Sequence, residues 1–434
     1  MTQRSPERYP EDTRAEDVHA IVSQRAEAIG APAPLAGAVG ALTQDRAVAE
    51  PKRARWRALD MLRFTAVVLM VQGHTFYVVL SEAARDAAWY RWHSYVHGYT
   101  APAFLFAAGL AFGVTTFPKW QAHVAWGPTV RKRLFRYALI IFIGYVIHLP
   151  GMSLVQAMQV GEPERIHRML RVDALQHIGV SLLICQGLVA LLRDRRRYVL
   201  VLATLAAVVV LLGPWAWRQP FAEHLPVGIA AYLNASTGSL FPILPWAGFV
   251  FCGVLVGYVA SGERRDGGLR IEERLALVAA AFAVSGFLLH ESGFDPFGEH
   301  NFWKTSPYFF LRRMGTVLAF LSLLCLAERG VRRLRGGSAP TWLGRTVGVM
   351  GQETLVVYVA HLLILYGSPL RRGLHRDLWH SLPLGGAALV FLILLAAMVA
   401  LAWGWHWAKT DRPRLFTGVR WALWAALLWM LVQA

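Results

Sequence analysis

The feature that most constrains this chain is a succession of apolar segments, each about 16 to 22 residues long, that starts after Arg57 and is punctuated by charged or Gly/Pro-rich loops. A helix rises about 1.5 Å per residue, so a segment of this length matches a hydrocarbon core of about 30 Å. The segments fall near 60–80, 99–116, 134–150, 173–192, 198–217, 240–260, 275–290, 311–328, 352–368, 384–405 and 416–432. The last contains Arg420, Trp421, Trp424 and Trp429 and suits either a span or an interfacial helix. The expected fold is all-α, a polytopic membrane bundle of ten or eleven transmembrane helices. Composition agrees: 56% of residues are hydrophobic and 16% charged, where a soluble domain has about 25% charged residues.

The 44 Lys+Arg exceed the 27 Asp+Glu. In a soluble chain that surplus would suggest nucleic acid; in a membrane protein it reports orientation, and no nucleic-acid partner is expected. Residues 51–63, 117–136, 193–197, 261–274, 329–345 and 408–414 hold 26 Lys+Arg, whereas the alternate segments 81–98, 151–172, 218–239, 291–313 and 369–383 hold 12. Cytoplasmic loops carry the excess, so the first set is expected inside, with the amino terminus cytoplasmic and, in a bacterial host, the inner membrane as the location. Residues 1–57 are too poor in apolar residues to fold alone and lack the core of a signal peptide, which reads as a disordered cytoplasmic tail. Residues 58–406 form the expected transmembrane core, and 407–434 a loop with the extra helix. Cys185, Cys252 and Cys325 sit inside apolar runs, as buried thiols do.

Ionisable groups inside spans are costly and mark candidate chemistry. The first segment carries Asp60, Arg63 and His74. Eleven residues, about three turns and roughly 16 Å, place Arg63 and His74 on one face, and Asp60 is near enough to pair with Arg63. Tyr358 and His361 share a face of the ninth segment. Asp173 and His177 open the fourth, His148 closes the third, and His93 and His97 precede the second. The expected topology brings His74, His93, His97, His148 and His177 toward the outer side. Each alone is more often a satisfied interface histidine; converging imidazoles point to proton or acyl transfer. The stretch 290–303, with its histidines, carboxylates and aromatics, fits no metal-ligand spacing and reads as a solvated loop.

The Leu-Asp-x-Leu-Arg start with Arg63 and His74, and the Thr-Leu-x-x-Tyr-x-x-His ending at His361, resemble motifs of the family-three membrane acyltransferases. The pattern is closest to the branch containing heparan-alpha-glucosaminide N-acetyltransferase. That branch has similar Pro-x-Phe-x-Phe-x-x-Gly (Pro102 to Gly109), Leu-Gln-x-Ile-Gly (Leu175 to Gly179) and Tyr-Val-x-His (Tyr358 to His361) segments. The resemblance covers about residues 55–405. Phe64 stands where the wider family has Gly, and the spacing leaves His93 and His97 both open as the branch's catalytic histidine.

The resemblance implies an enzyme that moves an acetyl or other acyl group from cytoplasmic acyl-CoA to a hydroxyl or amine of a sugar or glycan across the membrane. His74, His97 or His93 would be base or nucleophile, with Asp173, His361 and Tyr358 orienting the base or polarising the thioester. Arg63, Arg131, Lys132, Arg133 and Arg136 would hold the CoA phosphates. Acetyl-CoA is then a co-substrate, no metal or redox cofactor is called for, membrane lipid is the surrounding partner, and a homodimer is left open. The rival reading is a carrier or exporter without acyl chemistry, suggested by intramembrane histidines and by Pro242 and Pro245 before the sixth segment.

Overall fold

The computed structural model describes residues 56–262, 270–335, 341–368 and 371–433. The expected tail, apart from residues 56 and 57, lies outside the described residues. All eleven apolar segments are helical. They are α1 (Arg57–Val79), α3 (Thr100–Thr116), α4 (Pro128–His148), α5 (Ala174–Leu192), α6 (Arg195–Leu211), α7 (Ile243–Gly262), α8 (Ile271–Glu291), α9 (Pro307–Arg335), the pair α10 (Trp342–Gln352) and α11 (Thr354–Tyr366), α13 (Leu384–Asp411) and α14 (Pro413–Val432). A ten-residue helix α2 (Ala88–His97) precedes α3, and α12 (Leu374–Leu378) follows a hairpin of two-residue strands, β1 (Gly367–Ser368) and β2 (Arg371–Arg372). Seven helices are long and apolar enough to cross a membrane, eight if α10 and α11 count as one span. That test requires at least 18 residues and at most two charges in the window, which α6, with 17 residues, and α4, with Arg131, Lys132, Arg133 and Arg136 in its first turns, do not meet.

The chain is organised around α1, whose buried residues run from Ala58 to Val79 and meet two core clusters. Its first turns, Ala58, Leu59 and Leu62, belong to one core cluster with α3, α5, α6, α7, α8 and α9. Its later turns, Val67, Met70, Val71 and Phe76, belong to a second with α10, α11 and α13. The amino terminus of α1 has no cap from its own Trp56. Glu328 of α9 supplies one instead, accepting the N–H of Arg57 at 3.3 Å and of Ala58 at 2.9 Å. A buried carboxylate there satisfies two orphan donors and complements the helix dipole; Arg332 pairs with it at 3.1 Å.

Gly109 and Gly113 on α3 face Gly253 and Gly257 on α7. A Cβ at Gly109 would lie 1.9 Å from the Val250 carbonyl oxygen, and one at Gly253 would lie 2.1 Å from that of Phe106. These are two small-xxx-small faces in contact, the packing that lipid-embedded helices use when no hydrophobic force separates helix from lipid.

The ninth segment, 352–368, corresponds to α11; α10 precedes it and meets it at 78°. Glu353 sits in the break, buried, and its carboxylate accepts from His406 Nδ1 at 3.1 Å and from Lys409 Nζ at 3.0 Å. Gly351 packs on the Asp60 backbone, where a Cβ would meet the carbonyl oxygen at 2.6 Å. Helices α13 and α14 are mostly exposed along their lengths and present apolar faces suited to lipid.

Replacing Gly253 with Leu is expected to abolish monodisperse protein on size exclusion in detergent, because neither backbone can retreat. Glu328→Ala is expected to fold but to lose about 1 to 2 kcal/mol, read as a lowered unfolding midpoint by intrinsic tryptophan fluorescence. An unchanged midpoint would remove the capping role.

Candidate functional site

A cavity of about 1070 Å³ opens among the loops that the charge bias assigns to the outside. Its walls come from α1 (Met70, His74), from the α2–α3 junction (His97, Thr100, Phe104), and from the end of α4 and start of α5 (His148, Arg171, Asp173). Trp246, Trp303, Arg313, Tyr358 and the segment from Tyr366 to Arg376 complete them. The size is at the upper end of small-molecule sites, and the lining mixes aromatic surface with a few polar groups, as such sites do.

At its base, His74 and His361 lie ring against ring, centroids 5.1 Å apart and planes 11° apart. His74 Nδ1 is 2.9 Å from His361 Nε2, and His361 Nδ1 is 2.8 Å from the Val357 carbonyl oxygen. A carbonyl only accepts, so His361 donates its Nδ1 proton to Val357 and keeps a lone pair at Nε2. His74 must then donate from Nδ1. The neutral pair therefore has one tautomer, in which His74 Nε2 is a bare lone pair. Tyr358 stands edge-on to His361, centroids 5.7 Å apart, and stacks on Phe104.

His97 reaches the same place through an absent side chain. A Cβ on Gly73 would fall 1.9 Å from His97 Cε1, so the ring rests on the backbone immediately before His74. Thr100 Oγ1 lies 3.3 Å from its Nδ1. His97 lines the cavity, whereas His93 is not among its lining residues. His93 is held by Gln72 Oε1 at 2.9 Å and stacked on Phe76 and Tyr90, each at 5.3 Å.

Asp173 also lines the cavity and interacts electrostatically with His74. Its Oδ1 accepts the Ala174 N–H at 2.7 Å as the amino-terminal cap of α5, and its Oδ2 lies 3.5 Å from His148 Nε2, to which Arg171 Nε donates at 3.4 Å. Gln176 completes the capping box, accepting the Asp173 N–H at 3.3 Å while its amide nitrogen lies 3.2 Å from His148 Nδ1. His177 is a satisfied core histidine, bonded to the Phe241 carbonyl at 2.9 Å and to Ser181 at 3.3 Å.

None of the five expected phosphate-binding cations lines the cavity. Arg63 is half-buried on α1 and engaged with neighbouring groups. Arg133 donates to Thr116 at 2.7 Å and Thr115 at 2.6 Å, over the Phe112 ring. Arg131, Lys132 and Arg136 are exposed on α4. Of the loop 290–303, held by Arg218 through the carbonyls of Phe297 (2.5 Å) and Glu299 (2.9 Å), only Trp303 reaches the cavity.

Several wall residues carry no motif in the sequence. Gly73 is legible only once a ring lies on it. Arg313 sits at the head of a long apolar run, the kind of position where an intramembrane cation is a functional candidate, and Trp246 looks like an ordinary helix-end residue; His148, by contrast, is among the imidazoles that the sequence places toward the outer side.

The family described as heparan-alpha-glucosaminide N-acetyltransferase, catalytic, matches this chain over residues 55–286. No protein among those with curated functions matches it. The matched region contains His74, His97 and Asp173 and stops before Tyr358 and His361. With just over half of its length matched and a polytopic helix bundle as its fold, the chain belongs to the heparan-alpha-glucosaminide N-acetyltransferase family of membrane acetyltransferases.

Proposed function

We propose that the chain transfers an acetyl group from acetyl-CoA to an amine or hydroxyl of a sugar or glycan presented at the cavity, with His74 as the base. One observation carries this reading: a hydrogen-bond chain from Val357 through His361 fixes the tautomer of His74 and leaves Nε2 with a lone pair on a cavity wall. The acceptor N–H or O–H gives its proton to that nitrogen as its heteroatom attacks the thioester carbon. The new bond to carbon forms, the C–S bond breaks, and the imidazolium returns the proton to the departing thiolate. The products are an acetylated acceptor and CoA thiol.

Each neighbour has a role in the sequence of bonds. His361 positions His74 by accepting its Nδ1–H, and it can take that proton as Nε2 becomes charged. Asp173, fixed as a helix cap, supplies negative charge to an imidazolium at His74 without moving. His97, on Gly73, stands beside the reacting centre as a hydrogen-bond partner for acceptor or thioester. With the topology assigned by loop charge, the acceptor enters from the outer side of a bacterial inner membrane.

His74→Ala is expected to reduce acetyl transfer by about 10² to 10⁴-fold with unchanged elution in detergent, measured as CoA thiol release in the presence of a panel of amino and neutral sugars. Wild-type rates in that variant would remove the base from the mechanism. Sugar flux in proteoliposomes with no thiol release would support the carrier instead. His361→Leu is expected to lower kcat by about tenfold to a hundredfold at constant KM, as a lost orienting partner does. In His361→Gln the side-chain oxygen can accept the same proton, and part of the rate is expected back; equal loss in both variants would show that the effect is packing alone. Gly73→Ala is expected to displace His97 and lower the rate without unfolding the helix.

A further inference from the structure

Five fixed cations line the cavity beyond its histidine base: Arg171 and Arg313, half-buried, and Lys304, Arg372 and Arg376, exposed at the rim. The single carboxylate among the lining residues is Asp173, which accepts from Ala174 N–H and interacts with His148 and Arg171; Arg171 donates from Nε to His148 Nε2 at 3.4 Å, which leaves its terminal nitrogens for a ligand. The usual reason for arginines at a membrane surface does not apply, since these five come from the segments with fewer Lys and Arg, 12 against 26. They arrive from separate parts of the chain: the start of α5, the loop and first turns of α9, and the β2–α12 turn, where Gly373 packs on the Tyr366 and Gly367 backbone. Like charges gathered round one cavity repel, at a cost that an anion between them reverses.

Arg313 is the most constrained of them. Its guanidinium lies 4.1 Å over the Phe309 ring and 5.8 Å from that of Trp246. Its Nε is buried with no hydrogen-bond partner among the described residues. A Cβ on Gly98, the residue after His97, would be 3.4 Å from its Nη2. A guanidinium seated over an aromatic ring on a cavity wall, with a buried Nε that has no partner among the described residues, suits an oxyanion. One sulfate or carboxylate needs two or three such donors; five cations around one opening suit a group with two or more charges.

We propose that this end of the cavity is a phosphate subsite, in which Arg313 and Arg171 hold a phosphate or diphosphate group of a substrate while Lys304, Arg372 and Arg376 draw it in from the rim. The subsite rests on the acetyl-transfer reading only for what brings the phosphate: the diphosphate of the CoA donor, or a phosphorylated sugar acceptor.

The test is equilibrium dialysis of radiolabelled inorganic pyrophosphate against the full chain in an uncharged detergent. Saturable binding is expected, with the dissociation constant raised about tenfold or more in Arg313→Gln and in the rim pair Arg372→Gln with Arg376→Gln. The rim pair is exposed and keeps the test valid if Arg313→Gln does not fold. Binding should persist in Arg131→Gln with Arg136→Gln, and also in His74→Gln, so that a failure of acetyl transfer leaves the subsite result standing. Displacement by acetyl-CoA assigns the phosphate to the donor. Displacement by glucosamine 1-phosphate but not by glucosamine assigns it to the acceptor. Absence of saturable binding, loss only in the Arg131/Arg136 variant, or displacement by anionic phospholipid and by neither substrate would overturn the proposal.

Discussion

The hydrogen bond between His74 and His361 joins residues 287 positions apart, and the geometry of the site depends on it. Inside a bilayer an unpaired imidazole has no water to turn to, so each ring nitrogen must find a partner or face a cavity. His361 spends one nitrogen on Val357 and the other on His74; His74 is left with one nitrogen and a cavity beside it. The bond therefore fixes which atom can do chemistry, and it does so only while α1 and α11 keep their register.

That register is held from several directions. Glu328 of α9 anchors the amino terminus of α1, the Asp60 backbone lies against Gly351 of α10, and the two core clusters meet along the helix. The bend at Glu353 is part of the same arrangement, because it separates the turn that packs on Asp60 from the turn that presents His361. Its carboxylate is bonded by His406 and Lys409 of α13, so a helix that otherwise faces lipid also helps set the direction of α11. Stability and site are here one network, and variants far from the histidines are expected to act through it.

The helical architecture was legible in the sequence because a bilayer imposes one length on every span, and all eleven segments proved helical. His74, His97, Asp173, Tyr358 and His361 were also legible, since charged or titratable groups are rare in such segments and stand out. What the spacing did not contain was the third dimension. His93 and His97 are one turn apart on α2, and only Gly73, whose missing side chain admits one ring, distinguishes them. The helix α10 that leads into the ninth segment was not legible, because its stretch from Trp342 to Gln352 is short and lies before the apolar run that marks the span. The cavity's own cations were not legible for a related reason: arginines in the more basic loops stand out in the sequence through the positive-inside bias, whereas those lining the cavity come from loops of lower charge.

This last contrast bears on how the cavity works. Binding energy in a transferase is best spent away from the reacting atoms, where it can position the substrate without stabilising it against reaction. Here one lining carries imidazoles, aromatic rings, five fixed cations and the carboxylate of Asp173. Were the cations adjacent to His74 Nε2, they would disfavour the imidazolium that base catalysis requires. Placing Asp173 nearer the histidines and the guanidinium of Arg313 on Phe309 and Trp246 allows one cavity to attract an anion and to accept a proton.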